Sequence, residues 1–116
     1  MKYLRDPALP ATVLSPMRYS DALQLNQQAL ATLAHVHRNT LYRAPWAPSV
    51  QDYLREAVRV IKAAFDVNGD MRVALDWYRT EPLAIFGYKT AESLVSEGRA
   101  DDVIRFVASL DAGAAG

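Results

Sequence analysis

The chain has 116 residues, of which 51% are hydrophobic, 13 are basic, 13 are acidic and none is cysteine. A chain of this length forms one compact domain or a small domain with an appended motif, and it is too short for a two-domain enzyme. The lack of cysteine excludes thiol nucleophiles, disulfides and cysteine-containing zinc modules, and it favours the cytoplasm. No apolar run approaches the roughly 20 residues that span a bilayer, and the first residues do not read as a secretory signal.

The charges balance overall but are unevenly placed along the chain. Residues 1–48 carry five basic and two acidic residues, a net charge of +3, and residues 49–116 carry the opposite charge of −3. The balanced total argues against binding polyanions by bulk charge. The asymmetry would suit different partners for the two halves, although an imbalance of three charges also arises often by chance.

The first part of the chain predicts an irregular arm followed by three short helices. Three prolines among the first sixteen residues disfavour helix before about Ser15. Ser15 is then a predicted N-cap, with Pro16 at the first helical position. The predicted helices run from Pro16 to about Leu25, from Gln27 to Ala34 and from His37 to Ala44, with a turn at His35-Val36 and a stop at Pro45.

The rest of the chain predicts one long helix and three further helices. Pro45-Trp46-Ala47-Pro48 is the best candidate boundary, and Ser49 with Asp52 three residues later predicts the cap of the long helix. That helix is expected to end at Asn68-Gly69. The next helix is predicted to begin at the cap Asp70 and to end at Glu81-Pro82, and a loop follows at 83–89. A short helix then runs from the cap Thr90 to Gly98, and the last helix begins with the carboxylates of Asp101-Asp102. The tail at 112–116 is expected to be mobile. The predicted fold is all-α, with about seven helices and no strand.

The segment from Gln27 to Arg43 resembles a helix-turn-helix of the Xre or phage-repressor type. Ala31 supplies the small residue where the two helices cross, and apolar residues fix the crossing angle, namely Leu30, Ala34, Val36 and Leu41. The turn position that usually holds glycine, for its positive φ, is His35 here. Histidine is among the non-glycine residues enriched in that region, so the motif tolerates the exchange.

This resemblance implies that the second helix of the motif contacts DNA. Its polar residues would reach base edges in the major groove or flanking phosphates, with Arg38 and Asn39 reading bases; they are His37, Arg38, Asn39, Thr40 and Arg43. The alternative is a plain helical hairpin in which the same residues form a solvated face. Few phosphate contacts are available to one copy, so useful DNA binding would require a dimer or larger assembly. A zinc site is not expected, because His35 and His37 do not share a helix face.

The segment from Ala74 to Ile104 resembles the toxin-binding domain of the Xre/MbcA/ParS-type antitoxins. That family runs a tryptophan-bearing helix into a proline-containing loop, a glycine, a capped helix of the form Thr-x-x-x-Leu, a second glycine and a final apolar helix. The matching residues are Trp77, Pro82, Gly87, Thr90, Leu94, Gly98 and the Val103–Leu110 stripe. Ala91 departs from the family, which usually has proline after the cap threonine.

Together the two resemblances imply a domain order and a function. After an irregular arm (1–15), an Xre-like helix-turn-helix (16–48) is joined by a linking or dimerisation helix (49–69) to a small toxin-binding domain (70–116). The implied protein is a cytoplasmic antitoxin, without cofactor or catalysis, that occludes the active site of a RES-domain toxin consuming NAD or transferring ADP-ribose from it. It would also repress its own operon, binding operator DNA as a homodimer or as a larger hetero-oligomer with the toxin. The implied toxin-facing residues are Lys89, Glu92, Ser93, Glu97, Arg99, Leu110 and Asp111.

Alternatives to this interpretation remain open. The chain could be a stand-alone dimeric helix-turn-helix regulator without a toxin partner, or an adaptor whose motif has lost DNA binding. Carboxylates such as Asp76 and Glu81 could act as acid and base, but nothing in the sequence places them in a cleft. Trp77 and Phe86 are predicted core residues, and Tyr88 could belong to the core or to an interface.

Overall fold

The computed structural model describes the backbone of residues 4–6 and 13–115, and the side chains of these residues as far as Leu110. The chain divides into two compact units, Met1–Arg55 and Glu56–Gly116. Across the described residues there are seven α-helices, two isolated β-bridges and no strand, which confirms the predicted all-α fold. The helices are α1 (Pro16–Leu23), α2 (Gln27–Ala34), α3 (Arg38–Arg43), α4 (Pro48–Asn68), α5 (Met71–Thr80), α6 (Ala91–Ser96) and α7 (Ala100–Ala115).

Side-chain caps set the beginnings of the first two helices, and a left-handed residue sets the end of α1. Ser15 Oγ accepts the N–H of Arg18 at 3.2 Å and caps α1, as predicted, and Asn26 caps α2 through the N–H of Ala29 at 2.7 Å. The helix α1 stops at Leu23, two residues earlier than predicted. It does so because Gln24 turns left-handed, with φ of 56°, and the N–H of Leu25 then bonds back to the carbonyl of Ser20 at 2.8 Å.

The described parts of the predicted N-terminal arm belong to the core of the first unit. Leu4, Val13 and Leu14 are buried, and the N–H of Ser15 donates to the carbonyl of Leu4 at 2.8 Å beside a bridge between Arg5 and Leu14. Apolar burial therefore fixes these segments, although proline keeps them out of a helix. The remainder of the arm, residues 1–3 and 7–12, lies outside the described residues.

A buried amide joins this arm to the segment that follows α3. Gln51 is 3% exposed; its Oε1 accepts the N–H of Leu14 at 2.9 Å, and its Nε2 donates to the carbonyl of Leu14 at 2.8 Å and to that of Pro45 at 2.7 Å. The side chain thus serves three backbone groups at once. A buried polar group is stable only when it is hydrogen-bonded, and here both the amide and its partners meet that condition.

The second unit packs the end of α4 with α5, α6 and α7. Asp70 and Thr90 cap α5 and α6, as predicted, and accept backbone N–H groups at 3.2 and 3.1 Å. Gly69 and Gly98 adopt φ of 82° where α4 and α6 end, a conformation that favours glycine. The buried side chains of this unit include Val60, Ile61, Ala74, Tyr78, Leu94, Val103 and Val107.

Two further boundary predictions are wrong. The helix α4 begins at Pro48, so Ser49 lies inside its first turn instead of capping it, because proline is well suited to the first helical position. The last helix continues to Ala115, so the backbone of the small-residue tail is helical as far as it is described, where alanine favours helix. Within the described part of the chain, no helix is long and apolar enough to cross a bilayer.

Replacing Gln51 by methionine should lower the free energy of unfolding by about 3 kcal/mol, because buried backbone groups at Leu14 and Pro45 would lose their partner. Urea unfolding followed by circular dichroism measures the change. The matched control is Gln28→Met, since Gln28 is exposed and bonds only at the surface, and it should shift stability by less than about 0.5 kcal/mol. Equal effects of the two substitutions would contradict the role given to the Gln51 amide.

Candidate functional sites

The turn between α2 and α3 reverses the chain through left-handed backbone. His35 has φ of 58°, which confirms the positive φ predicted there. Its N–H donates to the carbonyl of Thr32 at 3.2 Å, and the N–H of Val36 donates to the carbonyl of Ala31 at 3.0 Å. These two bonds form a Schellman motif, which satisfies the last carbonyls of α2 and sets the direction in which α3 leaves.

The helix α3 buries one side chain and exposes most of the rest. Leu41 is 2% exposed, whereas Arg38, Asn39, Tyr42 and Arg43 are exposed and Thr40 is half-buried. A short helix held by one apolar residue presents the remaining positions to solvent, because its side chains point outward around the axis. Four of these outward positions carry hydrogen-bonding or cationic groups suited to a polyanionic partner.

His37 differs from its predicted place on the second helix. It is the N-cap of α3, and its Nδ1 accepts the N–H of Asn39 at 3.1 Å. His37 therefore shapes the beginning of α3, while the side chains of Arg38 and Asn39 lie just beyond it.

The two arginines of α3 differ from most other described cations in having no acidic partner. Among the described residues, no carboxylate lies within 4 Å of Arg38 or Arg43. Asp21 borders the same shallow depression as Arg38 but does not form an ion pair with it. In contrast, Arg55 pairs with Asp52 at 2.7 Å in the same unit. The charge on α3 is thus available to an external anion.

Aromatic side chains extend this exposed region. Tyr42 is 52% exposed on α3, and Trp46 is 58% exposed in the turn that follows. The sequence placed Trp46 in the candidate boundary segment, and it did not single out Tyr42. Helical spacing could have predicted that Tyr42 is exposed. Leu41 lies on the buried side of α3, and the adjacent side chain of Tyr42 points in a different direction around the helix axis.

In the second unit, several predicted toxin-facing residues are engaged with one another. Lys89 Nζ lies 2.8 Å from Glu97 Oε1, and Ser93 Oγ donates to Glu97 Oε2 at 3.4 Å. The hydrogen bond from Lys89 holds the pKa of Glu97 below its usual value. These three residues form one exposed, internally neutralised cluster beside the loop that precedes α6.

Arg99 belongs to a second cluster that packs on the same loop. Its Nε donates to Asp102 Oδ2 at 3.0 Å, and its guanidinium lies 5.2 Å from the centre of the Phe86 ring. The bond from Arg99 lowers the pKa of Asp102, to which Arg105 also donates. Phe86 meets Phe106 edge to face, with ring centres 5.8 Å apart. Phe86 is consequently half-buried, clamped between an aromatic edge and a cation.

Glu92 lies mostly inside the second unit. Its side chain is 12% exposed, and its Oε2 is 3.3 Å from Arg79 Nε. Burial raises the pKa of Glu92, and the nearby Arg79 charge opposes that rise in part. The carboxylate therefore braces α5 against α6 and offers little surface to a partner.

Several apolar side chains of this unit are also exposed. Leu110 is 46% exposed at the rim of a groove of about 140 Å³, and Asp111, also predicted to face the toxin, has a side chain outside the described part. The half-buried Trp77 lines this groove. Ile85 and Tyr88, in the loop before α6, are 70% and 71% exposed. The sequence did not decide whether Tyr88 belongs to the core or to an interface, and it did not identify Ile85 as exposed, because an apolar residue type predicts burial.

Neither unit contains an evident metal centre in its described residues, where no group of three or more histidine or acidic side chains could hold an ion. No family model, curated protein or solved structure matches this chain in comparisons with known proteins. Functional inference therefore rests on the geometry above and on the resemblances of the two segments.

We expect Glu92→Gln to become more stabilising, relative to the unsubstituted protein, as the pH rises from about 4.5 to about 7. A raised pKa means that the folded state disfavours the charged carboxylate, so its share of stability is present at low pH and is lost as the group ionises. Glutamine mimics the neutral form and avoids this loss. Thermal unfolding at both pH values measures the difference.

The matched control is Glu97→Gln, at the residue that directly follows the same helix, and for this substitution the sign reverses. The pKa of Glu97 is lowered, so its stabilising contribution is present near neutral pH and is lost as the pH falls through that pKa. Glu97→Gln should therefore be more destabilising at about pH 7 than at about pH 4.5. The same sign for both variants would contradict the opposite environments assigned to the two carboxylates.

Proposed function

We propose that the protein is a DNA-binding antitoxin. Its first unit binds operator DNA through α2, the turn and α3, and its second unit binds and occludes a RES-domain toxin in the cytoplasm. The observation that carries the DNA-binding part is the exposed face of α3, on which Arg38 and Arg43 have no acidic partner among the described residues. A cation that is not already paired can neutralise a phosphate without first breaking an ion pair.

The local geometry supports a helix that reads a groove. The Schellman turn at His35 joins two short helices through three residues, as a helix-turn-helix requires. Arg38 and Asn39 stand at the beginning of α3, the end of a recognition helix that approaches base edges. Arginine is suited to guanine and asparagine to adenine through paired hydrogen bonds, so both could specify sequence.

The number of cations limits the affinity of one copy. Two arginines on α3 supply about two phosphate contacts, and each contributes roughly −0.9 to the slope of log affinity against log salt. Such a small electrostatic contribution gives weak binding at physiological ionic strength. We therefore propose that the protein binds its operator as a dimer, or as a larger complex with the toxin that presents several copies of α3.

The toxin-binding part rests on the resemblance of the segment from Ala74 to Ile104. Residues of that motif have defined local roles in the second unit: Thr90 caps α6 with a 3.1 Å bond, and Gly87 and Gly98 have φ of 68° and 82°. Leu94 is fully buried in the same unit. These roles explain why such residue types recur at this spacing, and they support a compact partner-binding domain.

The sharpest test of DNA binding is the double substitution of Arg38 and Arg43 by alanine. The variant should lose operator affinity and reduce the salt slope by about one to two per copy, because Arg43 loses a phosphate contact and Arg38 loses its contact with a base or a flanking phosphate. The probe is a labelled duplex from the region upstream of this protein's own reading frame, titrated at several salt concentrations. Its matched control is Arg55→Ala, an exposed arginine already paired with Asp52, which should leave both quantities unchanged.

The toxin-binding part is tested by co-expression with the product of the adjacent reading frame, which we propose to be the RES-domain toxin. We expect a complex that co-purifies and restores growth, and that survives replacement of both Arg38 and Asn39 by alanine. Truncation after Val107 should abolish neutralisation while most helicity remains, because it removes Leu110 and Asp111. If no complex forms and operator binding persists, the protein is a stand-alone dimeric regulator; if the alanine pair leaves DNA affinity unchanged, the helix-turn-helix does not read DNA.

A further inference from the structure

The loop between α5 and α6 is closed by its own backbone. The N–H of Leu83 donates to the carbonyl of Lys89 at 2.9 Å, and the N–H groups of Phe86 and Tyr88 both donate to the carbonyl of Leu83 at 2.9 Å. A short 3-10 turn, Ala84–Phe86, lies inside this closure. Backbone bonding of this density restricts the loop to one shape.

Tyr88 adopts a backbone conformation that a bulky residue rarely takes. Gly87 and Tyr88 follow one another with φ of 68° and 67°, and only glycine occupies that region without steric strain. The backbone hydrogen bonds of the closed loop hold Tyr88 in this conformation, but its side chain is 71% exposed and has no hydrogen-bond, ionic or ring partner among the described residues. A strained residue whose side chain packs on nothing among the described residues is a candidate for a functional contact.

Ile85 is the second exposed apolar residue of this loop. At 70% and 71%, Ile85 and Tyr88 are the most exposed large hydrophobic side chains among the described residues; the others reach 58% at most. Leaving isoleucine in water forgoes the free energy that its burial would supply. Two such residues within four positions of a rigid loop suit burial against another molecule.

Side-chain contacts fix the base of the loop, and the charged side chains around it are paired with groups of opposite charge. Phe86 is clamped between Phe106 and Arg99, while Arg99 and Lys89 each hold a carboxylate, on Asp102 and Glu97 respectively. An apolar centre with a rim of paired polar groups is the arrangement found at protein interfaces. Because the loop is already ordered, it would lose little conformational freedom when a partner binds it.

We propose that Ile85 and Tyr88 are the anchor side chains of the second unit, and that they insert into an apolar pocket on the partner protein. This inference rests on the proposed toxin-binding function and names the contact that carries it. The charges favour a protein over other occupants. A nucleic acid would have to displace carboxylates from Lys89 and Arg99, and a lipid surface is held by free cations together with a broad apolar face.

The test measures the affinity of full-length variants for the product of the adjacent reading frame, the proposed RES-domain toxin. Tyr88→Asn removes the ring but keeps a residue that tolerates positive φ, and Ile85→Ser removes the aliphatic group. Each should weaken binding by about 30-fold or more, the effect of losing an interface hot spot. The matched control is Tyr42→Asn, which removes an exposed tyrosine from α3 and should leave this affinity unchanged.

A second measurement separates anchoring from folding. Tyr88→Asn should melt at or above the temperature of the unsubstituted protein, because asparagine relieves the strain, and Tyr88→Phe should retain binding because it keeps the ring. Weak binding by Ile85→Ser and Tyr88→Asn at undiminished melting temperature supports the proposal. If Tyr88→Asn melts at a lower temperature, the affinities of the other two variants decide whether the loop is the anchor: weak binding by Ile85→Ser with retained binding by Tyr88→Phe supports the proposal, and unchanged binding by Ile85→Ser contradicts it.

The contrary outcomes are distinct from one another. Binding within twofold of the unsubstituted protein for both Ile85→Ser and Tyr88→Asn overturns the anchor assignment and leaves the antitoxin function standing. No binding by the unsubstituted protein overturns the proposed function, and the anchor assignment falls with it. If the two substitutions instead weaken binding to an upstream duplex or to anionic phosphatidylserine vesicles, the loop serves nucleic acid or lipid and the proposal is wrong.

Discussion

The buried amide of Gln51 is the contact on which the arrangement of the first unit depends. It joins Leu14, which precedes α1, to Pro45, which follows α3, with three bonds of 2.7 to 2.9 Å. The segment holding α3 is therefore fixed at its far end by an amide and at its near end by the left-handed turn at His35. Between these points Leu41 alone is buried, so the exposure of Arg38 and Arg43 follows from the packing.

The second physical theme is how charge is distributed between pairs and free groups. In the second unit six of the seven described cations each meet a carboxylate within 4 Å, namely Arg59, Lys62, Arg79, Lys89, Arg99 and Arg105, whereas Arg72 and the two arginines on α3 do not. Exposed pairs contribute little to stability, but they remove the charge that would attract an anion. Free cations on α3 suit DNA, whereas neutral surroundings with exposed Ile85 and Tyr88 suit a protein. The +3 charge of residues 1–48 agrees with this division.

The sequence predicted the helices because each has a local cause: caps at Ser15, Asp70 and Thr90, and a left-handed stop at His35. The partners of a side chain are often residues distant in the chain, and such contacts could not be predicted from local sequence patterns. Gln51 bonds to Leu14, 37 positions away, and no pattern marked it as buried. Glu92 reads as a surface residue of a short helix, yet Arg79 from α5 meets it inside the unit. Ile85 was missed because an apolar type predicts burial, and only the closed loop shows that it is exposed.

The central claim is that DNA and the partner protein contact different segments of this chain. Hydrogen exchange of the full-length protein measures this directly, first with the duplex upstream of its reading frame and then with the product of the adjacent reading frame, the proposed RES-domain protein. The account predicts that the duplex slows exchange within residues 27–43 and leaves residues 83–90 unchanged, while the RES-domain protein does the reverse. Protection of the same segment by both partners, or of residues 83–90 by the duplex, would contradict it.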